Sequence, residues 1–249
     1  MKIKSIILIF FVIIMACNES SNVLVIGHRG AKGHAPENTI SSIKKAIELG
    51  VDGIEIDVFR CASGELVVFH DKLVDKLTDG KGYIEEISLD SIKKLNVMGD
   101  EKIPTLNEVL DLIDGKVFLN IELKGPNTSF LTHQLLNEYF NSTNWSRNKV
   151  FISSFDWNEL RAFYQLNKDV RIAVLTDDDP LDAIPIAKDL EAFAINPNYK
   201  LLTESNVSKI KSENILIYTW TVNNIKDINK VKRLGAVSYT HLTLPTRAV

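Results

Sequence analysis

Along the chain, short runs of β-branched and other apolar residues alternate with stretches whose apolar positions recur every three or four residues. This is the pattern of a parallel sheet covered by helices. Strands are expected at 23–27, 53–59, 117–123, 150–154, 171–175, 192–196 and 215–219, with helices at about 38–49, 106–113, 129–140, 157–166, 180–189, 204–211 and 225–234. Thr105 with Glu108, and Asp156 with Glu159, each form a capping pair ahead of an apolar stripe and so mark two helix starts. Seven β-then-α units in a row predict an α/β fold, a TIM-type (β/α)8 barrel, with one unit still to be found.

One run breaks the alternation. The apolar segment 66–70 follows the second strand after only the short loop 60–65, too little chain for a crossover helix, so the two strands must form an antiparallel hairpin. Residues 72–103 then precede the next barrel helix as a small insertion at the barrel mouth, with a turn at Asp79-Gly80-Lys81-Gly82 and a short helix near 88–95. At the other end, 237–244 alternates well enough to serve as the eighth strand.

The first residues differ in kind from the rest. Lys2 and Lys4 precede an apolar run from Ile6 to Met15, followed by Ala16, Cys17 and a polar stretch. The run is too short to span a bilayer comfortably, and it has the basic flank and small residue that export processing needs. Ile14-Met15-Ala16-Cys17 resembles the bacterial lipobox, in which the cysteine is acylated. The expected organisation is a lipoprotein-type signal peptide at 1–16, a tether at 17–22 and the barrel at 23–249, with Cys17 as the lipidation site and the cell envelope as the location; a plain secretory peptide or an uncleaved anchor are the alternatives. With Cys17 lipidated, Cys61 is left as the single thiol and no intrachain disulfide can form. A net charge of -3, with no Lys/Arg-rich run interleaved with aromatics, offers no footprint for a polyanion and argues against nucleic acid as a partner.

Chemistry concentrates at the strand ends. Glu55 and Asp57 lie two apart on a strand, so both point to one face while Ile54, Ile56 and Val58 point to the other. Two carboxylates on one buried face repel each other and stay ionised only beside a cation, which suggests a hard divalent metal, Ca²⁺ or Mg²⁺. His28, bracketed with Arg29 by Gly27 and Gly30, and His70, followed by Asp71, both end strands. Two histidines so placed suit acid-base cleavage of a P–O bond. Glu122 is an acid between apolar neighbours with Lys124 two residues on; it would complete the metal's ligands, with Lys124 meeting a phosphate oxygen or a hydroxyl, unless the two form a plain buried ion pair. Trp220, at the end of the last strand before the tail, serves either to stack on the ligand or to close the barrel by packing. Pro36 to Thr39 reads as a helix start that holds the first loop.

His28-Arg29-Gly30, Ala35-Pro36-Glu37-Asn38-Thr39, Gly53-Ile54-Glu55-Ile56-Asp57-Val58, Val68-Phe69-His70-Asp71, Ile103-Pro104-Thr105-Leu106, Ile121-Glu122-Leu123-Lys124, Ser153-Ser154-Phe155-Asp156 and Trp220-Thr221-Val222-Asn223 occur in this order, and together they resemble the glycerophosphodiester phosphodiesterases over about residues 23–235. The resemblance implies a barrel and hydrolysis of a glycerophosphodiester to glycerol 3-phosphate and an alcohol. It matches His28 and His70 to the acid/base pair, Arg29 to the phosphate contact, and Glu55, Asp57 and Glu122 to the ligands of one divalent metal. It also implies that the substrate's own hydroxyl attacks phosphorus, giving a cyclic phosphate that water then opens.

Two departures stand out. Lys76 occupies a place where the family tends to have Arg, and nothing after Gly235 matches the family's closing strand, so a non-native tail at 237–249 and an incomplete barrel are expected as the alternative to an eighth strand. Two other functions compete: a lysophospholipase D or sphingomyelinase-D-like lipid phosphodiesterase, and a non-catalytic surface lipoprotein that binds a ligand. The intact histidines and carboxylates argue against the second. The sequence leaves the oligomeric state open.

Overall fold

The computed structural model describes residues 23–241. The signal segment, the tether with Cys17 and the last eight residues lie outside them. In chain order the main elements are β1 (Leu24–His28), α1 (Ile40–Glu48), β2 (Gly53–Arg60), β3 (Leu66–Val68), α2 (Leu89–Ile92), α3 (Leu106–Ile113), β4 (Phe118–Leu123), α4 (Thr128–Ser142), β5 (Val150–Ser154), α5 (Trp157–Leu166), β6 (Arg171–Thr176), α6 (Ala183–Asp189), β7 (Ala194–Pro197), α7 (Glu204–Ser212), β8 (Leu216–Thr219), α8 (Ile225–Leu234) and β9 (Ser238–His241).

β1, β2 and β4 to β9 form a closed ring of parallel strands, with β3 antiparallel on the outer half of β2. This is the TIM-type barrel the alternation predicts. Its helix-facing layer is made by every second strand residue, such as Ile54, Ile56, Val58, Leu119, Ile121 and Leu123, all buried against the helices. α3 illustrates how a helix is held there. Thr105 and Glu108 form the full capping box, which stabilises the helix start by about 1 kcal/mol, and Leu106, Val109, Leu110 and Ile113 bury one stripe.

Of the two alternatives for the end of the barrel, the eighth strand is the one present. Ser238–His241 pairs with β8 on one side and with β1 on the other, and Val222 donates to Thr240 across the same seam. Alternation decides the outcome: Ser238 and Thr240 line the barrel interior while Tyr239 packs into the helix-facing core.

Smaller differences have local causes. The helix expected at 180–189 begins as a 3-10 turn, Pro180–Asp182, and only then becomes α6. Pro185 has no N–H for the bond back to Leu181, so the first turn tightens. The strand expected at 66–70 ends at Val68: Phe69 still donates to Asp57 O across the hairpin at 3.0 Å, but Asp57 N–H turns to Asn38 Oδ1 and does not return the bond. The insertion has a small core of its own, in which Val74, Ile84, Ile92 and Val97 pack on Phe59 and Phe69. No helix among the described residues is long and apolar enough to cross a membrane.

Candidate active site

The residues singled out from the sequence converge at the C-terminal mouth of the barrel. β2 carries Glu55 and Asp57 and β4 carries Glu122, and their register sets Asp57 beside Glu122. Each of the three carboxylates offers an oxygen within 4.8 Å of the others, and all three are buried. Burial first, and the neighbouring acids next, hold Glu55 well above the usual carboxylate range and push Glu122 up to about 7. Glu55 Oε1 is buried without any hydrogen-bond partner. An orphaned oxygen in a nest of three acids is the donor chemistry of a hard divalent cation, so the residues fit the metal their spacing suggests.

Arg29 holds this cluster from above. Its backbone adopts the left-handed conformation, φ 52°, a strain of about 1 kcal/mol. In that conformation its N–H donates to Glu55 Oε2 at 2.8 Å, and its guanidinium reaches Asp57, Nε lying 3.4 Å from Oδ2. The latter is a contact of charges without hydrogen-bond geometry, and Nε has no partner of its own. Gly30, at φ 80°, makes the turn possible: a Cβ there would lie 2.5 Å from Ser42 Oγ, the hydroxyl that donates to Arg29 O.

Two residues read from the sequence only as part of a helix start also reach the site. Glu37 accepts from Arg29 Nη1 at 2.6 Å and pairs with Lys32. Asn38 donates through Nδ2 to Asp57 Oδ2 at 2.9 Å and accepts from Asp57 N–H at 3.4 Å. Thr39 does cap α1, accepting from Ser42 N–H, so the helix-start reading is right and incomplete. The signal was a pair of polar residues ahead of the cap that capping itself does not need.

His28 ends β1 in register with Glu55, its Nε2 3.8 Å from Glu55 Oε2 and its Nδ1 3.5 Å from Thr221 Oγ1. Burial, reinforced by Arg29 and Lys32, pushes its pKa well below the usual histidine value. His70 sits just past β3 with Nδ1 2.6 Å from Asp71 Oδ1, which leaves Nε2 as the nitrogen for proton exchange. Burial lowers its pKa too, against the pull of Asp57. Lys124 pairs with Glu122 at 2.8 Å and approaches Asp57 at 3.7 Å; burial opposes its charge, but the two acids win and raise its pKa. The Glu122–Lys124 ion pair therefore exists, and Lys124 still lines the cavity.

That cavity, about 350 Å³, has the histidines, Arg29 and the acids on one side and Phe155, Leu175, Tyr218 and Trp220 on the other. Trp220 donates from Nε1 to Asn196 O at 2.8 Å and meets Phe155 edge-on at 5.5 Å, so it packs and lines the cavity at once.

A family model described as the glycerophosphoryl diester phosphodiesterase family matches residues 28–238. The chain belongs to this family. Members of the glycerophosphoryl diester phosphodiesterase family are phosphoric diester hydrolases, and this chain is an enzyme of that class. A glycerophosphodiester phosphodiesterase of Caldanaerobacter subterraneus subsp. tengcongensis is 35% identical over 225 residues, covering 85% of this chain and 90% of the relative. Among solved structures, an Oleispira antarctica phosphodiesterase in complex with the product sn-glycerol-3-phosphate superposes with a TM-score of 0.81 at 27% identity, covering 88% of this chain and 92% of that one. A glycerophosphodiester phosphodiesterase from Parabacteroides distasonis gives 0.75 at 26% identity, covering 89% and 93%.

Proposed function

We propose that this enzyme hydrolyses glycerophosphodiesters to glycerol 3-phosphate and an alcohol, with a divalent cation, Ca²⁺ or Mg²⁺, held by Glu55, Asp57 and Glu122. The observation that carries the reading is the pair of buried, unpartnered groups at the mouth, Glu55 Oε1 and Arg29 Nε, one suited to a cation and the other to a phosphate oxygen. When bound, the cation supplies positive charge against the phosphate and draws out the charge that develops on its oxygens.

The chain's own residues do the rest. Arg29, with Lys124 behind it, binds and orients the phosphate. His28, kept neutral by burial and by Arg29, accepts the proton of the attacking hydroxyl. His70, whose imidazolium Asp71 stabilises through Nδ1, gives a proton from Nε2 to the departing alcohol oxygen. The alcohol leaves as the cyclic phosphate forms; water then opens the ring, giving a proton to His70 while His28 returns one to the ring oxygen, so one diester and one water enter and glycerol 3-phosphate and one alcohol leave. Trp220 and its aromatic neighbours exclude water and form the wall against which the glycerol lies.

The test is release of glycerol 3-phosphate from glycerophosphocholine. It should require Ca²⁺ or Mg²⁺, stop in EDTA, and fall by about 10²- to 10⁴-fold in His28→Ala. Turnover untouched by EDTA or by the substitution would overturn the mechanism.

Export and acylation at Cys17 are part of the same proposal, supported by the basic flank, the apolar run and the Ile14-Met15-Ala16-Cys17 motif. Labelled palmitate should enter the expressed protein and be lost in Cys17→Ser; equal labelling of the two would refute the anchor.

A further inference from the structure

A second concavity opens from the same mouth and takes no part in the reaction above. A groove of about 630 Å³ runs outward between the end of β4 and the insertion, walled by Phe59, Leu73, Tyr83 and the stems of Lys72 and Lys76. His70 and Lys124 line both this groove and the barrel cavity, so the two spaces meet at the histidine that faces the departing oxygen.

Leu73 and Tyr83 form an antiparallel bridge, and neighbours on the same ladder brace it: Val74 N–H donates to Gly82 O at 3.0 Å and Ile84 N–H to Lys72 O at 2.9 Å. Val74 and Ile84 point down into the insertion core and are fully buried, while Leu73 and Tyr83 stand side by side on the other face, 43% and 50% exposed. Packing of the insertion does not need large apolar groups on that face.

We propose that Leu73 and Tyr83 form a shelf for the hydrocarbon part of the alcohol that leaves, and that the enzyme prefers diesters whose alcohol is apolar. This rests on the reaction proposed above and adds the class of substrate. The polar barrel cavity, with Arg29, Asn120 and an unpartnered Asn196 Oδ1, suits the glycerol side, and the apolar groove suits the other substituent.

The experiment compares glycerol 3-phosphate esterified with hexanol and with ethanol, using the full chain with Ca²⁺ or Mg²⁺. The two leaving alkoxides have nearly the same basicity, so a difference in kcat/KM reports what the longer chain touches. The hexyl diester should be preferred about tenfold or more. The double substitution Leu73→Ser with Tyr83→Ser should remove most of that preference, and Tyr83→Phe should keep it. Cleavage of the ethyl diester by the double variant shows that it is folded. Equal kcat/KM for the two diesters, or a preference that the double substitution leaves intact, would overturn the shelf. Failure to cleave either diester would instead overturn the glycerophosphodiesterase reading on which the shelf depends.

Discussion

Near the mouth, the inward positions of β1, β2 and β4 carry His28, Glu55, Asp57 and Glu122, whereas on β6 and β8 the facing wall is Leu175 and Tyr218, extended beyond the strands by Phe155 and Trp220. The same barrel scaffold thus gathers its catalytic-type charge on one half, while the other, apart from Asp177 and Asn196, is mostly carbon. In the charged half Arg29 and Lys124 answer only part of the charge of three buried carboxylates, and the excess that remains is suited to a cation. The carbon half makes those charges count. Apolar walls lower the local dielectric and strengthen each pairing that a phosphate would make. One half is built to react and the other to exclude water and shape the ligand.

The largest expected break in this division comes from Glu37, which touches no substrate position but fixes Arg29. Glu37→Gln removes the buried charge opposite the guanidinium and should lower kcat about a hundredfold, since a misplaced contact of this kind costs that much. Cation affinity, read by calorimetry, should change little, because Glu55, Asp57 and Glu122 remain in place. A loss of cation affinity equal to the loss of kcat would show that Glu37 supports the whole fold of the site and not Arg29 alone.

Removing the cation should expose the cost of the charged half as a dependence of stability on pH. Glu122 has its pKa raised from 4.5 to about 7, and Glu55 is raised in the same direction, by burial and by each other's neighbours. Between those values the folded state holds protons that the unfolded chain has released, so the stability this contributes is full below pH 4.5 and is lost as pH rises through about 7. The Tm of the metal-free protein should therefore fall over that window, and Ca²⁺ or Mg²⁺ should restore it by binding the ionised acids. A metal-free Tm that rises across the same window would contradict the buried, crowded state of these carboxylates.

The smallest effect belongs to the carbon half. Trp220→Ala should raise KM a few-fold and leave kcat nearly unchanged, because the ring supplies contact area to ground state and transition state alike. A fall in kcat as large as that in Glu37→Gln would mean that the wall also orients the reacting groups.

Much of this site was legible from local pattern. Alternation alone set Glu55 and Asp57 on one face and Ile54, Ile56 and Val58 on the other, because a strand's period of two is a property of the backbone. Strand ends marked His28 and His70, and the capping pair at Thr105 and Glu108 located α3 to the residue. Glu37 and Asn38 were legible only as helix-start residues, since what they bind lies across the barrel mouth and their spacing from Arg29 and Asp57 carries no period.

The sequence by itself determined the order of strands and helices, the face on which each candidate side chain lies, and the chemistry those side chains share. The tertiary structure decided which distant groups meet. It joined β1 to β9, with Leu24 opposite Ser238 and Ser238 Oγ donating to Leu24 O at 3.2 Å, and so closed a barrel that the pattern after Gly235 left uncertain. It also brought Glu37 to Arg29, Asn38 to Asp57 and the shelf of Leu73 and Tyr83 to the edge of His70. The reason is physical. Periodicity reports the local geometry of one element, while register between elements is set by burying their faces against one another, which only the folded chain can do.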